Sequence, residues 1–231
     1  MIITEKKKKE QILEYLKDAK SVFLVGCGRC ATSCETGGEK QVAEMLEFLL
    51  RKGKKIAGSI VIEAPCDERL AVKELKNQNS PPEAPCLPAG RDPPSAEKLK
   101  TAEAVLVLAC GAGVQVVSDV SEKPTHPALD SMFLGKTKRL GKFAELCIMC
   151  GDCVLDDTGG ICPVSRCSKG LLNGPCGGSH KGKCEVDPAY DCGWYLIFER
   201  LNKLGKEDKI KQIRTPKDYS RVIRPRKLEI R

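Results

Sequence analysis

Between Cys147 and Cys192 the chain carries eight cysteines in 46 residues, set among Gly151, Gly159, Gly160, Gly170, Gly174, Gly177, Gly178 and Gly182. A segment so poor in apolar side chains cannot hold itself together by burial alone. It needs cross-links, and the compartment decides which kind. The N-terminus reads MIITEKKKKE, charged where a secretory signal needs an apolar run. The expectation is therefore a cytoplasmic, reducing setting, in which clustered thiols read as metal or redox sites rather than disulfides. No run approaches eighteen apolar residues, so no transmembrane helix is expected.

The rest of the composition describes an ordinary folded chain. Hydrophobic residues make up 41% and charged residues 30% of 231, enough to build a core and to exclude wholesale disorder. Aromatics are only 4%, so that core is aliphatic and small. The formal net charge is +8, which alone points toward nucleic acid or an acidic partner. That sum treats the 14 cysteines as neutral. A four-thiolate [4Fe–4S] centre carries roughly −2, so three of them bring the balance to about +2. A zinc-stapled nucleic-acid-binding module is thus the weaker alternative, and few aromatics accompany the basic residues to stack on bases.

The first half alternates helices and strands. A helix is expected over 5–19, a strand at Val22–Val25, a helix over 39–52 and a strand over 56–62. A helix over 67–76, a strand over 104–109 and a helix over 112–119 follow. That order implies βαβ units on a parallel sheet. The fold class is α/β: a parallel-sheet domain over 1–135, then a loop-rich, metal-stapled cysteine domain over 136–208, ending in an amphipathic helix. Residues 209–231, with nine basic residues against Asp218 and Glu229, are expected as a basic, extended and solvated tail. The six prolines of 77–94 make that stretch an exposed loop, in which Cys86 is read as a stray thiol. His126 is expected in an exposed turn, and His180 lies near Cys176 and Cys184.

Five cysteines of the first half follow strand ends. Cys27, Cys30 and Cys34 form C-x2-C-x3-C directly after the first strand, and Cys66 and Cys110 follow the second and third. Parallel sheets gather functional groups at the carboxyl ends of their strands. Four of these thiols suffice for an iron–sulfur cube or a zinc. Cys27, Cys30, Cys34 and Cys110 are the expected ligands, with Cys66 in reserve. The same loop also matches G-x-G-x-x-A at Gly26, Gly28 and Ala31, with Glu63 at the next strand end. Glu63 stands too far along the chain for the usual dinucleotide spacing of about 20 residues.

The second half repeats the theme more strongly. Cys147, Cys150 and Cys153 form C-x2-C-x2-C, and Cys162 precedes Pro163, as in the bacterial ferredoxin run, although the last gap, from Cys153 to Cys162, is nine residues instead of four, so the loop differs. Cys167, Cys176, Cys184 and Cys192 complete eight, the number needed for two four-thiolate sites. The expected partition is Cys147, Cys150, Cys153 and Cys192 for one, and Cys162, Cys167, Cys176 and Cys184 for the other. Thiolate-only sets suit both iron–sulfur and zinc. Two or three [4Fe–4S] sites are expected, with one site open to zinc. No nucleophile elbow, phosphate loop or metalloprotease motif is present, so no catalytic residue and no flavin or folate site is assigned.

The strings VGCGRCATSCETGGEKQV, VLACGAGVQ, CIMCGDCVLDDTGGICPVSRCSKGLLNGPCGGSHKGKCEV and YDCGW resemble the MetV family, the small cysteine-rich subunit of acetogen-type methylenetetrahydrofolate reductase. The resemblance spans about residues 20–205. It implies a heterodimer with a flavin-bearing MetF-type catalytic subunit that holds FMN and the folate, and a further electron-input module is compatible with it. This chain would then be an electron-transfer iron–sulfur subunit in one-carbon metabolism of the Wood–Ljungdahl type, not active by itself. An iron–sulfur subunit of another methyl-transfer or heterodisulfide-reductase-type complex is the other alternative. The proline-rich insertion with Cys86 departs from the family pattern.

Overall fold

The computed structural model describes residues 1–76 and 95–229; Cys86 and the proline-rich stretch 77–94 lie outside them. In chain order the elements are β1 (Ile2–Lys6), α1 (Lys9–Tyr15), β2 (Ser21–Cys27), α2 (Cys30–Ser33), α3 (Glu39–Arg51) and β3 (Lys55–Ile62). Then come α4 (Glu68–Lys76), α5 (Ser95–Thr101), β4 (Ala104–Leu108), α6 (Gly111–Ser121), β5 (Thr125–Pro127), β6 (Leu129–Arg139) and β7 (Lys142–Cys147). Two short helices close the set, α7 (Pro163–Arg166) and α8 (Gly193–Lys203). The chain divides into two compact units. One is 1–133 with 137–143; the other is 134–136 with 144–231.

The first unit is built on a four-stranded sheet in the order β3-β2-β4-β5, all pairs parallel. β2 and β4 are short runs of buried aliphatic residues, the pattern of strands covered on both faces. From β2 the chain crosses one way to β3, then returns past β2 to β4 and on to β5. With right-handed crossovers, that reversal puts α3 on one face and α4, α5 and α6 on the other, and α4 does contact both α5 and α6. The strand order therefore switches direction between β2 and β4, and the crevice beyond their carboxyl ends is where such sheets place ligands. Phe23, Leu24, Leu49, Leu106 and Val107 are fully buried in one continuous core.

Gly37 makes this packing possible. A Cβ there would stand 2.0 Å from the Leu108 carbonyl oxygen, so only glycine lets the loop before α3 lie against the end of β4. The amide of Cys27 donates to the Gly37 carbonyl at 2.9 Å. The N-terminus of α3 is closed by Gln41, whose Oε1 accepts from the Gly38 amide at 3.1 Å.

Two expectations are corrected here. The helix expected over 5–19 is shorter, because residues 2–6 form β1, which lies beside β6 in a second sheet of order β1-β6-β7. Ile3 and Thr4 are buried, and a strand beginning at the chain end has too few residues to show its period. His126 lies in β5, opposite Leu106, with its ring stacked on Tyr15 at 6.0 Å between centroids. The hairpin β6–β7 turns at Leu140-Gly141 with Gly141 at φ +71°; its mostly exposed strands carry little apolar signal. Among the described residues no helix is long and apolar enough to cross a membrane.

The second unit has a small core of Cys192, Trp194, Ile197 and Leu201 on α8, packed by Ile161, Leu171 and Ile210. The Trp194 indole donates to the Leu171 carbonyl at 2.9 Å, satisfying its one polar atom. The expected solvated tail is instead folded onto this unit through two 3₁₀ turns, Glu207–Lys211 and Tyr219–Val222.

Candidate metal centres

All thirteen described cysteines are free thiols. In the first unit the parallel register sets the geometry of the strand-end group. Cys27 ends β2 opposite Ile62 of β3, and Gly26 stands opposite Leu108 of β4. Cys66 follows four residues after Ile62, and Cys110 two after Leu108. The carboxyl edge of the sheet thus brings Cys27, Cys30, Cys66 and Cys110 close enough to act on one another. Desolvation at this edge pushes the Cys66 thiol up, and the charges of Cys110, Cys27 and Cys30 push it the same way. Negative charge gathered beside a thiol opposes its ionisation, and a bound cation removes that opposition.

Cys34 is placed differently. It closes the short turn α2, is buried, and its thiol donates to the Ile2 carbonyl at 3.8 Å. Cys66, kept in reserve by the sequence reading, stands with the group, and Cys34, named first, turns toward β1. The dinucleotide reading finds no free acid: Arg29 grips Glu63 through Nε at 3.0 Å and through Nη2. Gly26 also has no room beside it, since a Cβ would meet Val42 and the Gly37 carbonyl at 2.7 and 2.8 Å.

In the second unit Cys167, Cys176, Cys184 and Cys192 line one cavity, together with Glu185 and Trp194 among others. Four separate segments deliver them. Cys167 ends α7, Cys192 caps the start of α8, and Cys176 and Cys184 come from the glycine-rich loops between. Two antiparallel bridges, His180 with Lys183 and Lys183 with Asp191, tie those loops down. Gly193 is packed so closely that a Cβ would stand 2.7 Å from the Arg166 carbonyl oxygen, which is how α7 and α8 bring Cys167 and Cys192 to one place.

The surroundings favour thiolate at Cys184. The Ser168 hydroxyl holds the Cys184 thiol below its ordinary range, helped by the amides of Val186 and Asp187. The Cys176 thiol donates to Glu185 at 3.2 Å, and Lys169 pairs with the same carboxylate. Lys169 above all, then Cys176, hold Glu185 below the usual carboxylate range. Ser168, Lys169 and Glu185 were not singled out in the sequence, where nothing marks them except nearness to cysteine.

The cavity lining holds Cys192, and not Cys162, beside Cys167, Cys176 and Cys184, whereas the expected partition grouped Cys162 with those three. Cys147, Cys150, Cys153 and Cys162 lie outside that lining; their triplet and Cys-Pro pair follow the ferredoxin run, but the gap from Cys153 to Cys162 is longer. Cys147 ends β7, and its sulfur accepts from the Met149 amide at 3.2 Å. Met149 and Gly151 both take left-handed conformations, φ +55° and +76°, which turns the loop tightly between Cys147 and Cys153. Cys162 caps α7 immediately before Pro163. His180 does not line the cavity.

Among the described residues no three His, Cys, Asp or Glu side chains close on a single point as a finished metal site would. The cavity gathers its thiols without drawing them to bonding distance. The donor chemistry nevertheless fits a thiophilic centre: sulfur-only sets, amides directed at sulfur, and free thiols throughout.

Comparison with known proteins adds one finding. No curated protein and no solved structure matches the chain. Residues 126–220, which contain all eight cysteines of the second half, match the family model described as methylene-tetrahydrofolate reductase C terminal, and so tie this part of the chain to methylene-tetrahydrofolate reductase.

Proposed function

We propose that the chain is an electron-transfer iron–sulfur subunit of a methylenetetrahydrofolate reductase. It would serve FMN in a flavin-bearing MetF-type catalytic partner, where 5,10-methylenetetrahydrofolate is reduced to 5-methyltetrahydrofolate. The observation that carries this reading is the cavity lined by Cys167, Cys176, Cys184 and Cys192, inside the segment tied to that reductase. Cys147, Cys150, Cys153 and Cys162 would hold a second centre. Cys27, Cys30, Cys66 and Cys110 would hold a third, with Cys34 the alternate, and one of the three is open to zinc. When bound, a four-thiolate iron–sulfur centre supplies one-electron chemistry at a potential set by its hydrogen bonds and surroundings.

The chain's own residues make that chemistry usable. The Ser168 hydroxyl keeps Cys184 ready as a ligand. The Met149 amide supports the Cys147 sulfur. Trp194, with its indole N–H tied to Leu171, forms an apolar wall of the cavity. The rival reading as a nucleic-acid module draws on the basic tail, but Lys209, Arg214, Lys217, Arg221 and Arg226 of that tail all bond within their own unit.

Anaerobic purification tests the proposal. The protein should be brown and contain acid-labile sulfide, with about four irons per occupied centre. Cys192→Ser should lose one centre's iron and its EPR signal while leaving the parallel sheet folded. A colourless chain carrying zinc alone would remove the electron-transfer role. Co-purification with a partner lacking FMN would move the chain to another iron–sulfur complex.

A further inference from the structure

The arm after α8 does more than lie on its unit. Lys209 donates to the Asp156 carbonyl at 3.0 Å and to its carboxylate at 2.5 Å. Arg214 pairs with the Asp157 carboxylate, while its backbone exchanges two hydrogen bonds with the Asn173 amide group, 2.8 and 2.9 Å long. These contacts anchor the arm. Beyond them, three cationic heads reach the backbone of the loop between Cys147 and Cys153. Lys217 Nζ donates to the Asp152 carbonyl, Arg221 to that of Gly151 at 3.3 Å, and Arg226 to that of Met149 at 3.0 Å.

Two details make this more than a surface clasp. The Lys217 side chain is only 3% exposed, so its ammonium acts where water screens little. The thiol of Cys150 donates to the same Asp152 oxygen, at 3.6 Å. Ammonium and sulfur are thus separated by one shared acceptor atom. A trans peptide points its N–H opposite to its C=O. Holding these three carbonyls toward the arm therefore turns the amides of Cys150, Asp152 and Cys153 away from it, and a carbonyl bonded to a cation makes its own N–H a stronger donor.

The geometry points to the arm as a potential-tuning strap. Lys217, with Arg221 and Arg226 beside it, fixes the loop backbone and raises the reduction potential of the centre held by Cys147, Cys150 and Cys153. The inference rests on the iron–sulfur reading above. Reduction adds one electron and no proton to the centre, and a fixed positive charge nearby favours the more negative state. The Asp152 carboxylate, 3.7 Å from Lys217 Nζ, opposes this, but it is 46% exposed and screened by water. Lys217, Arg221 and Arg226 are positioning residues; they act through the loop and its charge.

An EPR-monitored redox titration of the full chain, with dithionite as reductant, tests the strap. The signal to follow is the one lost in Cys150→Ser. Lys217→Met should move its midpoint to more negative potential by about 59 mV, a tenfold change in a one-electron equilibrium. Lys217→Arg, which keeps the charge, should restore the parent value, and Asp152→Asn should shift the midpoint the opposite way. An unchanged midpoint in Lys217→Met with full iron and sulfide would overturn the inference and leave the iron–sulfur reading standing. If Lys217→Met fails to load, the exposed pair Arg221→Gln with Arg226→Gln decides. A shift to more negative potential supports the strap, and no shift rejects it. A parent protein without iron or sulfide would sink both readings together.

Discussion

The two units hold themselves together by different physics. The first buries a continuous aliphatic core of more than twenty residues between the faces of a parallel sheet and its helices. The second has a core cluster of four residues, Cys192 with Trp194, Ile197 and Leu201 of α8, and surrounds them with glycine turns, free thiols and a basic arm. Hydrophobic burial scales with apolar area, so the first unit can stand on its core. The second has too little area to offset the conformational entropy of its 91 residues, and its remaining resources are the proposed ligation by sulfur and the ionic and backbone bonds of the arm. The difference shows where cross-linking would matter: the proposed metal centre would add function to the first unit and be part of the fold of the second.

Metal removal should expose that difference most strongly. A chelator under reducing conditions is expected to abolish amide-exchange protection across 147–192 while β2 and β4 stay protected, because ligation energy in such segments is folding energy. Continued protection of 147–192 would mean that its few apolar contacts suffice. Next in size is Leu106→Ala, at a fully buried position on a central strand. It should destabilise the first unit by about 2–5 kcal/mol in denaturant unfolding and leave the iron of the second unit in place. Loss of iron from Cys147–Cys192 in that variant would show that the units are coupled. Smallest is Glu63→Gln, which breaks the exposed pair with Arg29. No measurable change in unfolding is expected, as for most exposed ion pairs; a clear loss of stability would give the strand-end loop a structural role that its exposure does not suggest.

The first unit was largely legible in the sequence. Apolar runs at 22–25 and 104–109 became β2 and β4, and the stripe of Val42, Met45 and Leu49 became α3, because both periods write themselves directly into residue order. The strand ends also placed Cys27 and Cys110 at the sheet's carboxyl edge. What residue order could not rank was Cys34 against Cys66. Three residues of short turn aim Cys34 toward Ile2, while a whole strand carries Cys66 to the edge. In the second unit the eight thiols were visible but their grouping was not. Cys162 and Cys167 are near neighbours in sequence, yet the tight approach of Gly193 to Arg166 gives Cys192 the place beside Cys167. The arm was read as solvated because a basic run carries no mark of what it will bond to. Lys209, Lys217, Arg221 and Arg226 reach backbone carbonyls some 50 to 80 residues earlier, a group identical in every residue type.

Sequence alone determined the kinds of chemistry open to this protein. Hydrophobic period dictates sheet and helix locally, and a sulfur-rich, apolar-poor segment has few ways other than ligation to become ordered. Tertiary structure decided which cysteines share a cavity lining and which loop carbonyls the basic arm bonds. Both depend on distances between segments far apart in the chain, set by backbone turns and close glycine contacts that leave no periodic trace in residue order.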